Sequence, residues 1–156
     1  MTRRISTFLR WIRVHFLGSL SSAENRKRFG VRIGVANNGL GVFATKDVPA
    51  DDVIGTIHGR PIDDMNYGSD YCIELDDTRS LEPQPPFRFL NHSCEPNCRL
   101  FVCDDLEIES DIVILEAIRQ IETGTELTID YGWPVDSSIP CECGSGRCRG
   151  RIMAID

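Results

Sequence analysis

The chain has 156 residues, a formal net charge of −7, 41% apolar residues, 13 Gly, 8 Pro and 7 Cys. That is enough length and apolar content for one domain with a buried core, and it excludes collagen-like and low-complexity classes and a chain disordered as its main state. No run of about 18 or more apolar residues occurs, which excludes a membrane-spanning helix.

The charge is unevenly placed. Residues 1–28 hold seven Lys/Arg against Glu24 alone, a balance of +6, which leaves −13 on residues 29–156. An acidic body argues against direct nucleic-acid binding and suits a basic protein or peptide. Arg10 and Arg13 interrupt the one candidate signal-peptide core, so secretion is not expected. An odd seven cysteines without a signal points to metal binding or free thiols rather than a disulfide framework. An intracellular location follows, the cytoplasm of a bacterium or, in a eukaryote, the nucleus among its compartments.

Residues 3–17 are expected to form a short helix, because Ile5, Phe8, Leu9, Ile12 and Phe16 fall within an arc of about 100°. A basic amphipathic helix can lie on a membrane surface, act as a transit peptide or pack on the domain that follows. Residues 18–28, GSLSSAENRKR, form a linker. From Phe29 the pattern changes to short β runs bounded by Gly, Pro, Asn and Asp, at 31–36, 41–44, 52–57, 71–75, 99–103, 112–117 and 126–129. No helical segment separates them, so a doubly wound α/β sheet is disfavoured and a mostly β fold of several small sheets is expected. Residues 78–98 are irregular and rich in Pro, the kind of long connection that carries function.

The segment from Trp133 to Asp156 is small, and Cys141, Cys143 and Cys148 form a C-x-C-x4-C cluster in it. Zinc takes four ligands in a tetrahedron, so three thiolates need a fourth. No Cys or His follows Cys148, and the candidates are Cys72, Cys94, Cys98, Cys103 or a histidine. Closing such a site would turn metal affinity into folding energy for a tail too small for its own core.

Four segments together resemble a SET domain, the fold of protein-lysine methyltransferases. They are Asn38-Gly39-Leu40-Gly41-Val42-Phe43-Ala44, then Arg88-Phe89-Leu90-Asn91-His92-Ser93-Cys94-Glu95-Pro96-Asn97, then Gly124-Thr125-Glu126-Leu127-Thr128-Ile129-Asp130-Tyr131, and last Cys141-Glu142-Cys143-Gly144 through Cys148-Arg149-Gly150. With the basic helix and linker over 1–28 set apart, the resemblance implies a SET domain of small antiparallel sheets over 29–132 and a post-SET zinc tail over 133–156. It also implies a pseudoknot threading the last two motifs together.

It further implies S-adenosylmethionine as methyl donor and a lysine of a basic protein, histone-like or other, as acceptor. Gly39, Leu40, Gly41, Arg88, Asn91, His92 and Tyr131 would hold the donor or seat its loop. Tyr131 would be the catalytic tyrosine and Tyr71 a second tyrosine near the reacting atoms. Structural zinc would be held by Cys94, Cys141, Cys143 and Cys148.

Two positions depart from the family pattern. Ile57-His58-Gly59 stands where many members have Tyr-x-Gly, and Ile129 stands where Phe or Tyr is usual. The alternative reading is a SET-like module that binds donor or peptide without catalysis.

Overall fold

The computed structural model describes residues 29–105 and 110–154. The helix expected over 3–17 and its linker lie outside these residues. Twelve strands, most of them short, build four small sheets among the described residues. β1 (Val31–Ala36) and β2 (Gly39–Ala44) form a hairpin, and Gly39 closes its turn at φ +96°, a conformation that favours glycine. β3 (Val53–Ile57) runs beside β9 (Ser110–Ala117), whose other edge holds β8 (Cys98–Asp105). A third sheet has the order β4 (Gly59–Ile62), β6 (Ser80–Pro83), β5 (Ile73–Glu74).

The core sits on β9 and on the strands that cover it. Ile112, Val113, Ile114 and Leu115 are at most 2% exposed, so both faces of this strand are covered. A continuous apolar run is what a strand buried on both sides requires. Val42, Ala117, Ile121 and Leu127 extend the same core towards the first sheet.

Two more strands decide where the motifs lie. β10 (Glu126–Ile129) pairs antiparallel with β2 on one edge and in parallel with β7 (Asn91–His92) on the other. The register sets Thr128 opposite Asn91 and Ile129 opposite His92, and the Ser93 N–H donates to the Ile129 carbonyl at 2.9 Å. This parallel pair joins the third motif to the second, whereas the expected threading named the third and the fourth. Asn97, 5% exposed, locks it. Its amide donates to the Glu126 carbonyl at 2.7 Å, and its side-chain oxygen accepts from the Thr128 N–H at 2.9 Å.

The expected strands are all present, β1 and β10 with the expected ends and the others with shifted ones, and the run 71–75 shrinks to the two residues of β5. β4, β6, β7, β11 (Ile139–Pro140) and β12 (Arg151–Ile152) were not expected. Pro61 and Pro83 lie inside β4 and β6, and a proline argues against a strand unless it sits at an edge or an end. The remaining three have only two residues each, too few for a periodic pattern.

Replacing Asn97 by Ala leaves a buried carbonyl and a buried N–H unpaired. We expect urea unfolding to show a loss of roughly 2–4 kcal/mol; a loss within error of zero would remove Asn97 from this role.

Candidate functional site

Four groups of residues converge at the β7–β10 pair. The first is polar. The Asn91 side-chain amide donates to the Leu40 carbonyl at 3.0 Å and to Glu126 Oε1 at 2.7 Å. Both of its N–H groups are thereby used, which fixes the amide orientation and leaves Oδ1 as an acceptor. Gly41 makes room for this arrangement: a Cβ there would stand 2.4 Å from Glu126 Oε1. Gly39, Leu40, Gly41 and Asn91 are thus brought into one group, and Glu126 is the member that sequence reading missed. It lay in a motif already noticed, but nothing local says which way its carboxylate points.

The second group is centred on His92, which is buried. The Tyr131 N–H donates to His92 Nδ1 at 3.3 Å, so the ring proton sits on Nε2, aimed at Cys94 Sγ 3.3 Å away. Asp130 Oδ1 lies 3.4 Å from the same Nδ1, but both Asp130 oxygens already accept from Arg149 at 2.7 Å. Burial holds the His92 ring below its ordinary pKa, against the pull of Asp130 and with a push from Arg149, so the imidazole is neutral near pH 7. Burial raises the Asp130 carboxyl, and the Arg149 bonds and charge together with His92 outweigh it and hold it below its ordinary value.

The third group is the thiol cluster. One ligand atom each from His92, Cys94, Cys141 and Cys143 lies within 4.8 Å of the others. Cys94 Sγ and Cys141 Sγ are 3.6 Å apart. A tetrahedron with bonds of about 2.3 Å has an edge of roughly 3.8 Å, so this spacing fits zinc thiolates. Cys148 lies outside that set of four. Its thiol points to the Cys141 carbonyl at 3.7 Å and accepts the Gly150 N–H at 3.4 Å. Burial pushes Cys94 up and Cys141 up to about 12. At Cys143 burial also raises the thiol, but hydrogen bonds from the Cys94 and Ser145 backbone and the Ser145 hydroxyl bring it down to about 6. Of the other candidate ligands, Cys98 is buried with its thiol on Asn97 Oδ1 at 3.3 Å, and Cys72 is half-buried.

The fourth group lines a cavity of about 330 Å³ whose walls include Tyr71, Arg88, Leu90, Ile129, Tyr131 and Trp133. The Tyr131 hydroxyl donates to the Leu90 carbonyl at 2.7 Å, and its ring lies between His92 at 5.5 Å and Trp133 at 5.4 Å. Burial, with Tyr71, Glu126 and Asp70 adding to it, pushes the Tyr131 phenol up to about 12, so it keeps its proton. Tyr71 is exposed on one side and carries the Arg88 guanidinium 3.9 Å above its ring. Arg88 also bonds Glu82. The resemblance implies that Arg88 seats the donor loop; its observed partners lie on the cavity side. Trp133 joins the cavity although no motif singled it out, because it follows Tyr131 by two residues and its carbonyl is held by the Ala154 N–H at 2.7 Å.

Tyr131 is the joint of the site: it belongs to the cavity and touches His92, whereas Gly39, Gly41 and Asn91 lie outside the cavity wall. The SET-domain profile matches residues 39–132. The chain belongs to the SET-domain family. It is 37% identical over 128 residues to the histone-lysine N-methyltransferase trithorax of Drosophila virilis, covering 72% of this chain and 3% of that protein. To the human histone-lysine N-methyltransferase SETD1B it is 33% identical, covering 72% of this chain and 6% of that one. The chain therefore spans a small fraction of these relatives. Among solved structures, KRYPTONITE with mCHG DNA and SAH superposes with a TM-score of 0.69 at 28% identity, over 80% of this chain and 29% of that one. KRYPTONITE with mCHH DNA, an H3(1-15) peptide and SAH gives 0.68 at 26% identity, over 78% and 29%. The mostly β fold of small sheets expected for a SET domain is the fold observed.

The bidentate Arg149–Asp130 pair ties the cysteine-bearing tail to the residue before Tyr131. We expect Arg149→Ala to speed hydrogen exchange of the described amides in 139–152 by about 10- to 100-fold while the β9 amides stay protected. Unchanged exchange in the tail would mean that the pair does not hold it.

Proposed function

We propose that this SET domain is a protein-lysine N-methyltransferase that uses S-adenosylmethionine and acts on a lysine of a basic protein. The observation that carries the reading is Tyr131, shared between a cavity with aromatic walls and the Asn91–His92 group. The named relatives are histone-lysine N-methyltransferases, and a neighbour was solved with an H3 peptide and SAH, which supports the same substrate class.

S-adenosylmethionine, when bound, supplies an electron-poor methyl group on a sulfonium. Asn91 Oδ1, left as an acceptor, suits the donor's ammonium, and Gly39, Leu40, Gly41 and His92 complete the proposed donor side with Tyr131. The acceptor lysine must arrive neutral. Free lysine, with a pKa of ~10.4, is neutral in about one molecule in 10³ at pH 7, a cost of roughly 4–5 kcal/mol. The walls given by Leu90, Ile129, Tyr131 and Trp133 disfavour the ammonium, against the pull of Asp70, Glu74 and Asp130, which line the same cavity and favour it. Tyr131 and Tyr71 are the proposed catalytic residues. Tyr131 keeps its proton and its hydroxyl is held by Leu90, so it orients and does not act as a base. Alignment is then the main contribution of the protein. The −13 carried by residues 29–156 draws a basic tail towards the site.

Zinc, when bound, supplies a tetrahedral tie. Cys94, Cys141, Cys143 and Cys148 are the proposed ligands, with Cys148 turning in from the Cys141 carbonyl, and His92 donates its Nε2 proton to Cys94. Four thiolates leave no open position, so this role is structural.

The test of the activity is transfer of labelled methyl to a basic protein by the full chain and by Tyr131→Phe. We expect the variant to lose about 10²-fold or more in kcat while SAH affinity stays within a few-fold; near-normal turnover would remove Tyr131 from the reaction. Ile129 offers no hydroxyl to restrain the amine, so mass spectrometry is expected to find di- or trimethylated product, and strict monomethylation would contradict this. Elemental analysis is expected to give one zinc per chain, and chelation to lower the thermal midpoint. A chain that folds unchanged without metal would refute the structural role.

A further inference from the structure

Tyr71 has little of its own to hold it in the cavity wall. It is 43% exposed and lies on the irregular stretch before the two-residue β5. What fixes it comes from two other elements. The Arg88 guanidinium, carried by the 3-10 helix Phe87–Phe89, stands 3.9 Å over its ring. Arg88 is in turn bonded to Glu82 on β6 and reaches the Pro83 carbonyl at 3.4 Å.

Glu82 is also the anchor of the stretch that carries Tyr71. Its carboxylate is 14% exposed and accepts the Tyr67 hydroxyl at 3.1 Å and a bond from Ser69. Ser69 Oγ accepts the Tyr71 N–H at 3.2 Å. One carboxylate therefore grips the stretch at Tyr67 and Ser69, and through Arg88 it presses on the ring of Tyr71. Pairing also cancels the two charges, so the wall does not repel an approaching ammonium.

We infer that Arg88 and Glu82 are positioning residues for the acceptor: together they hold Tyr71 as a wall of the lysine cavity, and they act on uptake of the acceptor, not of the methyl donor. The inference rests on the methyltransferase reading for what enters the cavity. It separates the arginine from the donor-binding group to which its place in the motif would assign it.

The substitution Arg88→Lys keeps the charge and a partner for Glu82 but loses the flat guanidinium that stacks on the ring. Glu82→Gln keeps the shape and loses the ion pair. A stacked cation of this kind is worth roughly 3- to 30-fold in an equilibrium.

The experiment uses the full chain. Binding of a labelled H3(1-15) peptide, the one named in the KRYPTONITE structure, is followed by anisotropy at saturating SAH, and SAH binding by calorimetry. The expected result is peptide binding weaker by about 10-fold in both variants, a matching rise in peptide KM, and SAH affinity within about twofold. Weaker SAH binding with unchanged peptide binding overturns the inference, and so does equal weakening of both, or no change in either. If Glu82→Gln does not fold, Arg88→Lys alone decides. The wild type separates the two readings: peptide bound but not methylated overturns the methyltransferase proposal and leaves the clamp tested by binding, whereas SAH bound with no peptide uptake overturns the acceptor role of the cavity and the clamp with it.

Discussion

A parallel pairing of two residues with two, β7 against β10, is the contact on which the rest of the site depends. It joins segments that are far apart in the chain, and by itself it would be marginal. Parallel ladders are slightly weaker per residue than antiparallel ones. Asn97 makes up the difference by satisfying a carbonyl and an N–H of β10 with one buried side chain. Leu127, fully buried and in register with Val42 of β2, fixes the face of β10 that turns inward. With that register set, Tyr131 must lie beside His92, Asn91 beside Glu126, and Cys94 within reach of the tail.

The same crossing divides the chemistry. On one side are groups held neutral by burial: the His92 ring, the Tyr131 phenol and the apolar walls around it. On the other are thiols whose assembly favours a cation, and an Arg149–Asp130 pair that fastens their segment. His92 touches both through its two nitrogens, one receiving the Tyr131 N–H and the other facing Cys94. A neutral ring suits both contacts, because an imidazolium at Nδ1 would turn a proton against the Tyr131 N–H. On the proposed reading, methyl transfer to a neutral amine needs no general base on the protein, and the polar groups of the site would serve to orient and enclose.

Much of this was legible in the chain, and the reasons are specific. β9 could be read because Ile112 to Leu115 is an unbroken apolar run, and β1 because it is short, β-branched and bounded by turns. The Cys141, Cys143, Cys148 spacing called for one more partner, and the structure brings Cys94 to within 3.6 Å of Cys141 but gathers His92 rather than Cys148 into the close set. What could not be read were pairs set by tertiary approach. Nothing near Arg149 in sequence points to Asp130, nothing near Glu126 points to Asn91, and nothing near Arg88 points to Tyr71. The prolines in β4 and β6 hid the sheet that carries Glu82, because the local rule against proline in strands is sound except at ends and edges.

Tyr131 is proposed as the meeting point of a donor side and an acceptor side. A crystal structure of the full chain with SAH and the H3(1-15) peptide tests it most directly. A peptide lysine is expected in the cavity between Tyr71, Tyr131 and Trp133, and the SAH amino-acid group against Asn91 and the Gly39–Gly41 strand. SAH filling that cavity, or a lysine bound away from Tyr131, would contradict it.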